Sequence, residues 1–124
     1  NRKINLKINL MPNHEEPLIL FKDELVYGIG NIIQNAIHHA LFEIIINISW
    51  SQKEFIIVVS DDGSGFSNEV LDLIGQPYIS NQKVGMGLGI FIAKNLIDNI
   101  GGSISFKNLK DSGASVEIKI KRVS

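Results

Sequence analysis

The sequence predicts a two-layer α/β sandwich of the α+β kind, with a mixed, mostly antiparallel sheet covered by helices on one face. Three observations carry this prediction. Strand-like and helix-like patterns follow one another as strand, helix, two strands, two helices, two strands. The Ile- and Val-rich runs Glu43 to Trp50 and Glu54 to Ser60 are separated only by Ser51-Gln52-Lys53, a connection short enough to require an antiparallel pair. The length of 124 residues supports one hydrophobic core, and residues 1–124 are expected to form a single domain cut from a longer chain.

Taken in order, Lys3 to Leu10 alternates polar and apolar residues, the period of a half-buried strand. Met11 to Pro17 holds two prolines and reads as a turn, with Leu18 to Phe21 a short extended piece. Asp23 is placed to cap a helix from Glu24 to about Leu41. There Leu25, Ile29, Ile32, Ile33, Ala36, Ile37 and Ala40 recur at helical spacing despite the helix-weakening Gly28 and Gly30. After the strand pair, Ser67 is a suitable N-cap for a short helix ending near Ile74. An irregular stretch, Gly75 to Val84, precedes Gly85-Met86-Gly87-Leu88-Gly89, which opens a helix stopped by Gly101-Gly102. Ser103 to Lys107 and Ala114 to Lys121 close the chain as a second strand pair around a turn at Asp111-Ser112-Gly113.

Composition narrows the function. Twelve basic and 13 acidic residues leave a net charge of -1, which gives no electrostatic footprint for nucleic acid and no polybasic surface for a membrane. The expected partners are a small molecule or a protein, with no nucleic acid and no direct membrane contact. The absence of cysteine removes disulfides, thiolate zinc sites and cysteine nucleophiles. The apolar runs are too short to span a bilayer.

Three clusters have chemical potential. Asn31, Asn35 and His38 share one face of the first helix, and an amide oxygen suits Mg²⁺, which takes few protein ligands. Solvated polar side chains would give the same pattern. Asp61 ends an apolar strand and is followed by Gly63 and Gly65, presenting a hydrogen-bond acceptor beside backbone that a flat ligand can approach. An ordinary Asp-Gly turn is the plainer explanation of that cluster alone. Gly85, Gly87 and Gly89 open a helix, where bare N–H groups face an anion; a glycine hinge is the alternative.

Their order and spacing together resemble the catalytic domain of histidine kinases, within the wider group that includes Hsp90, gyrase and MutL. Asn31 and Asn35 match the N-box, and Asp61-Asp62-Gly63-Ser64-Gly65 the first glycine box. Pro77-Tyr78 stands at the aromatic F-box, and Gly85 to Gly89 is the second glycine box. The stretches Asp61 to Ser80 and Gly85 to Lys94 look most like the RegB/PrrB group of redox-responsive sensors.

The resemblance implies the Bergerat ATP-binding fold, with ATP and Mg²⁺ as ligands. It implies Asn35 as the Mg²⁺ ligand and Asn31 beside the phosphates or the metal's water shell. Asp61 would accept the adenine amine, with Gly63 and Gly65 admitting the base. Gly85, Met86, Gly87, Leu88 and Gly89 would hold the phosphates under an ATP lid at 75–86 that contains Tyr78 and Lys83. Ser115 would support the adenine site through water.

Many relatives carry lysine where His38 stands, so the charge near the γ-phosphate here would depend on pH. Asn31 replaces the glutamate that ATP-hydrolysing relatives use to activate water, which favours kinase over ATPase chemistry. His14 is followed by two acids, but Pro17 falls too early for a phosphoacceptor helix, so His14 reads as a loop histidine. The implied reaction is γ-phosphoryl transfer to a histidine on the kinase's own dimerisation domain, outside this chain, for relay to a cognate response regulator. The implied location is the cytoplasmic part of an inner-membrane sensor. A serine kinase of the anti-sigma type and a nucleotide-dependent interaction module share these motifs and are the alternatives.

Overall fold

The computed structural model describes residues 3–11, 17–19, 22–74 and 89–123. Five strands form one sheet: β1 (Asn5–Met11), β2 (Glu43–Trp50), β3 (Glu54–Asp61), β4 (Ser103–Asn108) and β5 (Ala114–Lys121). Three helices complete the description: α1 (Asp23–His39), α2 (Asn68–Ile74) and α3 (Gly89–Asn99). The strand order is β1-β2-β3-β5-β4, with β1 parallel to β2 and every other pair antiparallel. That is the mixed, mostly antiparallel sheet the sequence predicts.

Local chemistry explains the connections. In the β2–β3 hairpin, the Ser51 hydroxyl accepts from the N–H groups of Lys53 and Glu54, each at 3.2 Å, which folds the chain back within three residues. The β4–β5 turn is closed by the Leu109 N–H donating to the Gly113 carbonyl at 2.9 Å. Because α1 lies between β1 and β2, the chain crosses over and the two strands run parallel. α3 ends where the Gly102 N–H turns back to the Ile97 carbonyl at 3.0 Å.

The core lies between one sheet face and the helices. Ile44, Ile46, Ile57, Val59, Val116 and Ile118 project from the strands onto Leu25, Ile32 and Ala36 of α1 and Ile90, Phe91, Ala93 and Ile97 of α3. Gly28 is part of this packing: a Cβ there would stand 2.9 Å from Ile97 Cδ1, so the glycine lets α1 and α3 approach closely. Gly30 has nothing within 4 Å and is the one of the pair that only weakens the helix.

Several expectations are corrected. β1 is exposed along its whole length, not half-buried, because α1 and α3 cover the strands further across the sheet. Lys22, not Asp23, takes the N-cap position and no side chain caps the helix; Asp23 lies in the first turn. Ile37 was expected in the apolar stripe but is solvent-facing, since the buried stripe runs through Leu25, Gly28, Ile32 and Ala36. Of the short extended piece expected at Leu18 to Phe21, residues 20 and 21 lie outside the described residues, and the Leu18 carbonyl accepts from the Val123 N–H at 2.6 Å. The Ser67 cap is present, its hydroxyl accepting from the Val70 N–H at 3.2 Å. Among the described residues, no helix is long and apolar enough to cross a membrane.

Candidate functional site

Asp61 is the last residue of β3 and lies opposite Ile44 of β2, so its side chain turns toward the helix layer. It is 6% exposed. Burial pushes its carboxyl above the usual carboxylate range, against the N–H groups of Gly63 and Ala114 and the nearby His39, which favour the anion. The Gly63 N–H donates at 2.8 Å. A buried carboxylate with part of its acceptor capacity already used keeps lone pairs for one further donor.

The loop after Asp61 is held from three directions. The Asp62 carboxylate accepts from the N–H groups of Leu41 at 2.8 Å and of Phe42 and Glu43 at 3.1 Å, tying the loop to the start of β2. Desolvation acts to raise its pKa, but the amides of Phe42, Leu41 and Glu43 outweigh it and hold the carboxyl below its ordinary range. The Ser112 hydroxyl donates to the Gly63 carbonyl at 2.7 Å. Asn108 brackets Phe66, accepting from its N–H at 2.7 Å and donating to its carbonyl at 2.9 Å. Gly63 is required by proximity, since a Cβ would lie 2.3 Å from the His39 carbonyl oxygen. Gly65 is required by conformation, with φ of 85°, in the left-handed region.

Beside this loop, the last turns of α1 and the start of α3 border a cavity of about 460 Å³. Of the predicted residues, Asn31, Asn35, His38 and Gly89 line it. The Asn31 amide nitrogen donates to the Tyr27 carbonyl at 2.8 Å, and a Cβ on Gly89 would stand 3.5 Å from the Asn31 oxygen. Gln34, Ile37 and His39 also line the cavity, and sequence reasoning missed them. Gln34 follows Asn31 by three residues, a helical offset that could have signalled it. The rings of His38 and His39 meet edge to face, 5.0 Å between centroids.

Asp61, Gly63 and Gly65 are not part of the cavity lining, and His39 joins the two regions. Its carbonyl meets Gly63, and its side chain interacts electrostatically with Asp61. Ser115 is corrected. It pairs with Ser60 in the β3–β5 ladder, its hydroxyl 3.3 Å from that of Ser60. Side chains alternate along a strand, so Ser115 points to the sheet face away from Asp61; Ala114 is the neighbour whose N–H reaches the carboxylate. The lid at 75–86 and residues Tyr78, Lys83, Gly85, Met86, Gly87 and Leu88 lie outside the described residues, as does His14. Among the described residues, no group of three or more His, Cys, Asp or Glu side chains could hold a metal ion. A metal here would rest on the Asn35 amide and on oxygen atoms of its ligand, which suits Mg²⁺ and not a transition metal.

Fold and cavity together define an α/β sandwich whose pocket opens between the last turns of α1 and the start of α3, with His39 joining it to the loop that follows a central strand. Residues 22–124 match the family described as histidine kinase-, DNA gyrase B-, and HSP90-like ATPase, and the chain belongs to that family. It is 33% identical over 110 residues to sensor histidine kinase RegB of Cereibacter sphaeroides, covering 80% of this chain and 24% of RegB. It is 30% identical over 120 residues to sporulation kinase D of Bacillus subtilis, covering 94% of this chain and 24% of that protein. The chain thus spans 24% of the length of these curated relatives. Histidine kinase AdeS of Acinetobacter baumannii superposes with a TM-score of 0.74 at 22% identity, over 98% of this chain and 56% of that one. The catalytic domain of histidine kinase ThkA gives 0.72 at 21%, over 95% and 80%. At these identities the structural likeness speaks for the fold.

Proposed function

We propose that this domain binds ATP with Mg²⁺ and transfers the γ-phosphoryl group to a histidine on a separate helical dimerisation domain, for relay to a response regulator. The observation that supports it best is the buried Asp61 carboxylate, fixed by the Gly63 and Ala114 amides beside a cavity bordered by Asn31 and Asn35. Asp61 accepts the adenine amine, and the held glycine loop keeps that acceptor in place. Asn35 offers an amide oxygen to Mg²⁺, which when bound neutralises phosphate charge. Asn31 and His38 face the phosphate end. The cavity-side residues act by positioning: the acceptor imidazole nitrogen forms the new N–P bond as the bond from the γ-phosphorus to its bridging oxygen breaks, and ADP leaves. Neither Asn31 nor Asn35 can take a proton from water as a carboxylate would, so the chemistry favours transfer over hydrolysis. Gly85 to Leu88 with Gly89 hold the phosphates and residues 75–86 form the lid, roles that rest on the sequence motif. The parent is an inner-membrane sensor with this domain in the cytoplasm.

Calorimetric titration of a non-hydrolysable ATP analogue with and without Mg²⁺ tests this reading. Asn35→Ala is expected to abolish the Mg²⁺-dependent part of binding, and Asp61→Ala to remove the preference for adenine over guanine. No binding by the unaltered domain would overturn it.

A further inference from the structure

A second cavity, of about 420 Å³, opens between the start of α1, the end of α3 and the end of β5. Leu25, Ile100, Ile120 and Val123 give it an apolar wall. Lys22, Lys121 and Arg122 supply its charge, and among the described residues no acidic side chain lines it. It shares no residue with the cavity around Asn31 and Asn35, and the two lie at opposite ends of α1.

The walls are fixed by hydrogen bonds on both sides. The Arg122 N–H donates to the Lys53 carbonyl at 3.0 Å, and its Nη1 to the Ser51 carbonyl at 2.6 Å, which ties the end of the chain to the β2–β3 hairpin. The Val123 N–H is held by the Leu18 carbonyl. Across the cavity, the Gly101 and Gly102 N–H groups turn back to the Asp98 and Ile97 carbonyls at 3.1 and 3.0 Å. A Cβ on Gly102 would stand 2.7 Å from Ile120 Cδ1, so the end of α3 packs closely on β5. Walls that are set beforehand spare a ligand the entropy of ordering them.

The charge here is not neutralised by the fold. Glu54 lies opposite Lys121 in the sheet register, yet neither Lys121 nor Lys22 is in an ion pair among the described residues, and Asp98 of α3 is taken by Lys94. A bare anion would leave the apolar wall in water, and a purely apolar molecule would be stacked against three cations without answering their charge. We propose that the cavity binds a small amphipathic carboxylate, its head between Lys22, Lys121 and Arg122 and its apolar body against Leu25, Ile100, Ile120 and Val123. The guanidinium carries five N–H donors in a fixed fork, which allows it to hold the Ser51 carbonyl and a carboxylate together. The volume falls in the range of roughly 300–1,000 Å³ usual for small-molecule sites. The inference goes beyond the proposed phosphoryl transfer and does not depend on it.

Amide NMR of the isotope-labelled domain, titrated with octanoate in the absence of nucleotide, reads both the place and the strength of binding. Octanoate is expected to shift the amides of Gly101, Gly102 and residues 120–123 saturably and to leave those of Asn31 and Asn35 unmoved. Octanol and octylamine, with the same apolar body, are expected to bind about tenfold more weakly or worse. Lys22→Gln and Lys121→Gln, both at exposed positions, should each weaken octanoate about threefold and together about tenfold. Val123→Glu places an acid in the wall at an exposed position and should abolish binding, with its urea midpoint reporting that the domain is folded. The absence of a saturable shift, shifts centred on the Asn31 and Asn35 cavity, octylamine binding as tightly as octanoate, or an unchanged affinity in the double lysine variant would each overturn the proposal. Inorganic phosphate binding as tightly as octanoate would overturn the amphipathic part of it.

Discussion

Gly63→Ala should damage both stability and binding, and the size of the effect follows from one contact. The added Cβ would stand 2.3 Å from the His39 carbonyl oxygen and 3.0 Å from both the His39 carbonyl carbon and Asp61 Oδ1, whereas ordinary contact begins at 3.4 Å. The loop and the end of α1 must therefore part by about 1 Å. Neither side yields easily: His39 closes a helix, and the loop is fastened through Asp62, Ser112 and Asn108. Overpacking of this kind costs about 1–3 kcal/mol, and the upper end applies because the obstacle is backbone. The same displacement moves Asp61 relative to the α1 cavity, and a misplacement of about 1 Å can lower activity on the order of 100-fold. Urea unfolding followed by the fluorescence of Trp50, the sole tryptophan, reads the stability, and calorimetry with the ATP analogue reads the site. Gly30→Ala is the reference, with open space around it and an expected gain of about 0.5–1 kcal/mol. A Gly63→Ala domain with unchanged urea midpoint and unchanged affinity would refute the contact between the loop and α1.

Burial raises the folded pKa of Asp61 above its ordinary 3.8, so its contribution to stability is fully present below that value and is lost as pH rises through the folded pKa. The stability of the unaltered domain relative to Asp61→Asn should therefore decline with pH above 3.8, as measured by thermal melts across pH 3 to 7 (about that range suffices for a carboxylate). Asp62 behaves oppositely: its folded pKa is depressed, so Asp62→Asn should melt lower than the unaltered domain at neutral pH, and the gap should close as pH falls below 3.8. A gap independent of pH would mean that the amides of residues 41–43 do not distinguish the charged from the neutral form. At Gly28, alanine should be nearly neutral, because the helix propensity gained offsets pressure on the flexible end of Ile97, while leucine should wedge α1 from α3 at about 1–3 kcal/mol in urea unfolding.

Much of this was legible in the sequence, because hydrophobic period and turn chemistry are local. The β2–β3 hairpin, the Ser67 cap and the β4–β5 pair all follow from neighbouring residues. What escaped depends on partners distant in sequence. The alternation in β1 reads as half-buried, but whether a helix lies over it is decided by the packing of α1 and α3. Ser115 and Ala114 are adjacent in sequence, and only strand register reveals which of them faces Asp61. Asp62 reads as the aspartate of an ordinary Asp-Gly turn; its role as acceptor for the start of β2 needs contacts about twenty residues away.

Asn108 and Ser112 lie 42 and 49 residues downstream of the loop positions they hold. At about 5–20 residues per second, a ribosome needs roughly 2–10 s to add that interval. A nascent chain that stops short of β4 carries Asn31, Asn35, Asp61 and both loop glycines yet lacks the clasp that fixes the carboxylate. Ligand affinity would then rise late in translation, so a product truncated before β4 is expected to bind nucleotide more weakly than the finished domain.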